Sequence, residues 1–245
     1  MLVTVSEINL PVANERQLKL IFVFLFVAII DLWAGDVASF SDLGFSDNGK
    51  IYMFGQYGVD ENTLNPWADL FIIDVVSNDF VENGRFSYKH NEKIDPGQDG
   101  QGALIRLLSK NSANLKKFQP TFMKQGIPLF VSLKNGHNPN GEIVDFRDFD
   151  YGLFYTATLV PATFGSGKNI KSSFYILLDI IGRNGSKHTF RIGNPNIKRE
   201  DVTSYTIKKV MINEERTSMI FVVEMTVGKG SSQNIRYMVE ALRLN

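Results

Sequence analysis

The pattern of apolar positions changes character once along this chain. From Leu20 to Ile30 it is an unbroken run of eleven residues. From about residue 37 onward the apolar residues form short alternating runs separated by turn residues. Period-two alternation marks strands, and Asn-Gly pairs between such runs provide the positive φ of tight turns. Asp47-Asn48-Gly49, Asn83-Gly84 and Asn184-Gly185 are of this kind. Between the turns, strands are predicted over 68–76, 85–89, 127–133, 151–161, 173–181, 187–192, 205–212, 218–226 and 235–244, with the hairpin 45–54 near the start. Ala68 to Val76 carries Leu70, Ile72 and Asp74 on one face and Phe71, Ile73 and Val75 on the other. Such two-sided apolarity predicts a central strand, and Phe174 to Ile181 reads the same way.

One segment has helical spacing. Leu104, Leu107, Leu108, Leu115 and Phe118 share one face of a helix spanning about residues 100–118. Asp99 at its start and Lys116-Lys117 at its end suit the helix dipole, and Pro120 stops it. Asn111 and Asn114 weaken its middle. Together the elements predict a mainly β fold, an antiparallel sandwich or a propeller-like set of sheets, with ten to twelve strands and one helix. The hairpins 45–54 and 212–221 also share a pattern: an apolar residue, a polar turn, then an apolar strand ending in Phe. Two copies do not make a propeller, which needs about four to eight blades.

The run at Leu20–Ile30 follows Arg16 and Lys19 and leads to the small pair Ala34-Gly35. That is the layout of a secretory signal. It is too short for a membrane span, which needs about 20 apolar residues. Residues 1–35 are therefore read as a signal peptide and 36–245 as a single exported β-rich domain with no membrane span after cleavage. An uncleaved anchor is the alternative reading. The zero cysteine count removes disulfides and thiolate metal sites, so the exported domain must be held by its core. With 26 basic and 26 acidic residues and no block of either sign, the composition argues against nucleic acid or anionic membrane as the main partner. Nineteen Phe and eight Tyr favour a β-rich core.

No motif reaches an enzyme signature, and no cofactor, metal or catalytic residue is assigned. Pro161 to Asn169 imitates a phosphate-binding loop, but Ala162 and Asn169 stand where Gly and Ser or Thr are needed. Asp95 to Gly100 imitates a calcium loop, but Gly97 and Arg106 occupy ligand positions. His90, His137 and His188 lie far apart in or beside loops. Asp145-Phe-Arg-Asp148-Phe-Asp150 clusters carboxylates, and a glycosidase would need two across a cleft. Gln56, Tyr57 and Trp67 flank the longest polar loop of the first half. Aromatic and amide groups beside a loop can form a ligand-binding surface, so these three are the candidate binding residues. Arg236 is expected to pair across strands with Asp179, Glu224 or Glu240.

Five segments together resemble a domain-of-unknown-function family, number 2259, of predicted secreted bacterial proteins. They are Gly35-Asp-Val-Ala-Ser-Phe40, Leu43-Gly-Phe-Ser-Asp-Asn-Gly49, Phe54-Gly-Gln-Tyr-Gly58, Leu70-Phe-Ile-Ile-Asp-Val75 and Ile235-Arg-Tyr-Met-Val-Glu240. The resemblance implies export and no assigned activity. The expected function is a non-enzymatic envelope protein, periplasmic or secreted, that binds a protein or a glycan. The rival expectation is an envelope glycan hydrolase using paired carboxylates such as Asp148 and Asp150.

Overall fold

The computed structural model describes residues 36–95, 97–118, 124–133, 140–165, 169–229 and 232–244. The apolar run and the signal-peptide reading of residues 1–35 lie outside the described residues, as do Pro120 and His137. Among these described residues thirteen strands form three antiparallel sheets. The first sheet is a meander of β1 (Ser39–Phe45), β2 (Ile51–Val59), β3 (Pro66–Asp74) and β4 (Asp79–Lys89). The second contains β6 (Glu142–Asp148), β7 (Leu153–Phe164), β8 (Lys171–Ile181), β9 (Lys187–Ile192) and the two-residue β10 (Arg199–Glu200). The third is ordered β13 (Ser232–Arg243), β12 (Ser218–Lys229), β11 (Val202–Ile212), β5 (Ile127–Val131). The helix α1 (Gln101–Leu115) runs into a 3-10 turn, Lys116–Phe118.

Three buried clusters show how these parts stack. Leu104, Leu107 and Leu115 of α1 pack on Ala68, Leu70 and Ile72 of β3. The opposite face of the first sheet, with Tyr52, Phe54 and Ile73, packs on Ile220 and Val222 of the third. The other face of the third sheet, with Met219, Phe221 and Val223, packs on Phe174, Ile176 and Leu178 of the second. The order of layers is helix, first sheet, third sheet, second sheet. A sheet covered on both sides needs apolar residues at every position, and Met219-Ile-Phe-Val-Val223 is such a run. β3 is central as its two-sided pattern predicts. In β11 a bulge between Ile207 and Lys209 shifts the alternation, so Ile207 and Val210 share a face.

Two turn signals resolve differently. Asn48-Gly49 closes a hairpin, with Gly49 at φ 65°. Asn83-Gly84 does not: it lies inside β4, where the register against β3 shifts and Asn83 sits at φ 56°. A residue of positive φ serves a bulge as well as a turn. In α1, Asn111 Nδ2 donates to the Leu107 carbonyl at 2.9 Å, and the helix runs through Asn111 and Asn114 without a break. Asp99 Oδ1 accepts from the Gln101 amide at the start.

The hairpin resemblance between 45–54 and 212–221 extends to hydrogen bonding at a constant offset. Ser46 N donates to Ile51 O, and Asn213 N to Ser218 O. Gly49 N donates to Ser46 O, and Arg216 N to Asn213 O. Ile51 N donates to Ser46 Oγ, and Ser218 N to Asn213 Oδ1. Arg216, at φ 56°, therefore takes the left-handed position that Gly49 fills in the first copy. The two turns touch: Ser218 Oγ donates to the Gly49 carbonyl at 2.7 Å.

The Phe54-Gly-Gln-Tyr-Gly58 segment is explained by helix docking. A Cβ on Gly55 would lie 2.7 Å from Leu104, and a Cβ on Gly100 would lie 2.1 Å from the Gly58 carbonyl oxygen. The missing side chains let α1 lie directly on β2. Gly100→Ala is expected to lift the start of α1 and cost about 2–3 kcal/mol, because the clash is with backbone that cannot rotate away. Urea denaturation checks this; a loss below about 0.5 kcal/mol would contradict the close packing.

Candidate functional site

β13 is an edge strand, and its outward amides would attract another chain if left open. Groups from the first sheet and from the segment before it close that edge. Ile235 N donates to the Asp36 carbonyl at 3.0 Å. Tyr237 N donates to Gln56 Oε1 at 2.8 Å, and Ala241 N to Asn78 Oδ1 at 2.6 Å. Gln56 is thus buried and committed, with its Nε2 donating to Asp69 at 3.2 Å. Trp67 is buried under the Arg236 guanidinium, 4.3 Å from its ring. Tyr57 faces the other way and packs with the cluster beneath α1. The three sequence-predicted residues therefore lie on both faces of the first sheet and do not converge.

Arg236 pairs with none of the three strand acids. Its Nη2 donates to Asp36 Oδ2 at 2.8 Å, and its Nη1 to the Asp36 and Ile235 carbonyls. Burial raises the Asp36 pKa, and the Arg236 charge only partly offsets this. Asp148 and Asp150 do not face each other across a cleft. Both pair with Arg216, and Asp148 Oδ1 accepts from the amides of Asp150 and Tyr151. This geometry holds a turn.

A different constellation forms where the three sheets meet. Glu240, on β13, is only 5% exposed. Asn78, in the turn between β3 and β4, donates from Nδ2 to Glu240 Oε2 at 2.6 Å. The same side chain accepts from Ala241, so it grips strand and carboxyl together. Asn78 sits at φ 52°, a region that Asn tolerates better than most residues. From the second sheet, Gly193 at φ 89° brings its backbone against the carboxyl; a Cβ there would be 3.2 Å from the Glu240 carboxyl carbon. Arg199 Nη2 lies 3.8 Å from Glu240 Oε1. Its guanidinium covers the ring of Phe174 and, more distantly, that of Tyr205, whose hydroxyl meets Ser172 Oγ at 2.8 Å.

Glu240, Asn78, Gly193 and Arg199 border a cleft of about 430 Å³ whose walls include Asp79, Arg191, Asn194, Ile197 and Met238. Burial raises the Glu240 pKa above its ordinary 4.5; the Asn78 bond and Arg199 oppose the shift, and the Asp79 charge adds to it. The carboxyl can therefore offer a hydrogen-bond donor when protonated and an acceptor when ionised. Stability follows with a definite sign. Between the ordinary value and the raised one, the folded protein holds a proton that the unfolded chain has released, so stability falls as pH rises through that window. Glu240→Gln is expected to remove this slope. Thermal melts should show the variant at least as stable as the parent at pH 7 and indistinguishable near pH 4. A variant clearly less stable at pH 7 would contradict the assignment.

Glu240 was legible as an acid within an apolar strand, but its partners come from positions 78, 193 and 199. No sequence spacing links them. Among the described residues no helix is long and apolar enough to cross a membrane, and no cluster of three metal-ligating side chains occurs. No curated protein and no solved structure matches the chain significantly. The family described as "predicted secreted protein", domain of unknown function 2259, matches residues 53–243, a span that includes Asn78, Gly193, Arg199 and Glu240. The chain belongs to this family of predicted secreted proteins.

Proposed function

We propose that the protein is a non-enzymatic binding module of the cell envelope, periplasmic or released, and that it takes a hydroxyl-rich glycan in the Glu240 cleft. The observation that carries this reading is the buried Glu240 carboxyl, held by Asn78 and Gly193 at the floor of a concave surface. Sugars are recognised by fixed donors and acceptors in a concave site, and Glu240, Arg199 and Asn194 supply both kinds. A concave wall built from three sheets suits a small ligand better than a flat protein partner.

One observation favours a second reading, glycan hydrolysis. The exposed Asp79 lies close enough to raise the Glu240 pKa. A buried carboxyl with an exposed one nearby is the kind of pairing that glycosidases use. Incubating the purified protein with envelope oligosaccharides separates the two. Saturable retention with no new reducing ends supports the binding module. Turnover that is lost in Glu240→Gln supports the hydrolase, and neither retention nor turnover would sink both.

A further inference from the structure

A second cavity, of about 560 Å³, lies between the segment after β4 and the first turns of α1. Its walls include Pro66, His90, Lys93, Ile94 and Arg106. Both sides are anchored. His90 N donates to the Pro66 carbonyl at 2.9 Å and Ile94 N to the Leu64 carbonyl at 3.0 Å. Lys89 pairs with Asp60 at 2.8 Å, and the start of α1 rests on Gly58 through Gly100.

The His90 ring is short of one acceptor. Its Nδ1 faces the Glu92 amide at 3.0 Å, and its Nε2 faces Arg106 Nη1 at 3.1 Å. Both neighbours are donors. A neutral imidazole has one N–H and one lone pair, so whichever nitrogen holds the proton, one contact sets donor against donor. Protonation makes both contacts so. Among the described residues Arg106 makes no ion pair, and no carboxylate of theirs relieves the conflict.

We propose that this cavity binds a carboxylate borne on a small polar molecule, with Arg106 and His90 as its donors. A carboxylate oxygen placed between Nε2–H and the guanidinium accepts from both, and its second oxygen matches the planar fork of Arg106. The charge balance selects a monoanion. Lys93 and Arg106 are offset by Glu92 and by Asp99, which is already bonded to the Gln101 amide. A phosphate dianion would meet these acids at greater cost and would need more donors than the site offers.

The test is an NMR titration of the full chain with sodium acetate and, separately, inorganic phosphate at matched ionic strength. Acetate should give saturable shifts at the His90 ring and the Gly102 and Ala103 amides, weakened at least tenfold in Arg106→Gln. Arg106→Lys, which keeps the charge and loses the fork, should fall between. Glu240→Gln should leave acetate binding unchanged, which separates this site from the glycan cleft. Absence of saturation, acetate binding unaffected by Arg106→Gln, or phosphate binding as tightly as acetate would overturn the proposal.

Discussion

Arg216→Ala is expected to destabilise the protein by about 3–5 kcal/mol, the cost of leaving a buried carboxylate without its charge partner. Asp148 is 2% exposed and pairs with Arg216, which also reaches Asp150 at 2.9 Å and stacks on Tyr151 at 4.4 Å. The two amide bonds to Asp148 Oδ1 remain in the variant but do not neutralise its charge. The left-handed conformation of residue 216 adds a control. Glycine relaxes the backbone there, so Arg216→Gly isolates the lost ion pair from the strain. Adding Asp148→Asn to Arg216→Ala should recover a large part of the loss, since the orphaned charge is gone. Urea denaturation of the four proteins measures these terms, and a loss below about 1 kcal/mol for Arg216→Ala would show that the pair contributes little.

Asn78→Ala should be nearly as severe. The side chain makes two short bonds, to the Ala241 amide and to the Glu240 carboxyl. Removing it leaves an edge amide of β13 and a buried carboxyl under-bonded, each worth about 1–3 kcal/mol. Alanine at φ 52° costs roughly 1 kcal/mol more. A total near 3–4 kcal/mol, the low end of that sum, corresponds to a Tm lowered by about 6–16 °C for a chain of this size. Asn78→Gly should retain the turn and lose only the side-chain bonds. Equal stability of the parent and Asn78→Gly would mean that Asn78 does not hold β13.

Local signals were read well from the sequence where one physical effect dominates. The alternation in Ala68–Val76 marked β3 as covered on both faces. The Leu104, Leu107 and Leu115 stripe marked the helix to within a residue or two of α1 and its 3-10 turn. The signals failed where two structures share one composition. Asn83-Gly84 satisfies a bulge as readily as a hairpin turn. Residues 145–150 read as a carboxylate cluster, whereas Val144, Phe146 and Asp148 alternate inward as β6. Gln56 and Trp67 looked like binding residues because a polar amide and an indole beside a loop suit a ligand. They suit a blocked strand edge equally well, and that is where they lie. The Glu240 cleft was hidden for another reason: its walls come from three sheets whose stacking depends on long-range packing.

The central claim is that the cleft at Glu240 is a binding site for a hydroxyl-rich ligand. Its most direct test is an NMR titration of the purified protein with envelope oligosaccharides, following the amides of Asn78, Gly193, Asn194 and Glu240. The account predicts saturable shifts confined to these residues and their neighbours, abolished by Arg199→Ala in a protein that remains folded. Shifts that map elsewhere on the surface, or none with any oligosaccharide, would contradict it.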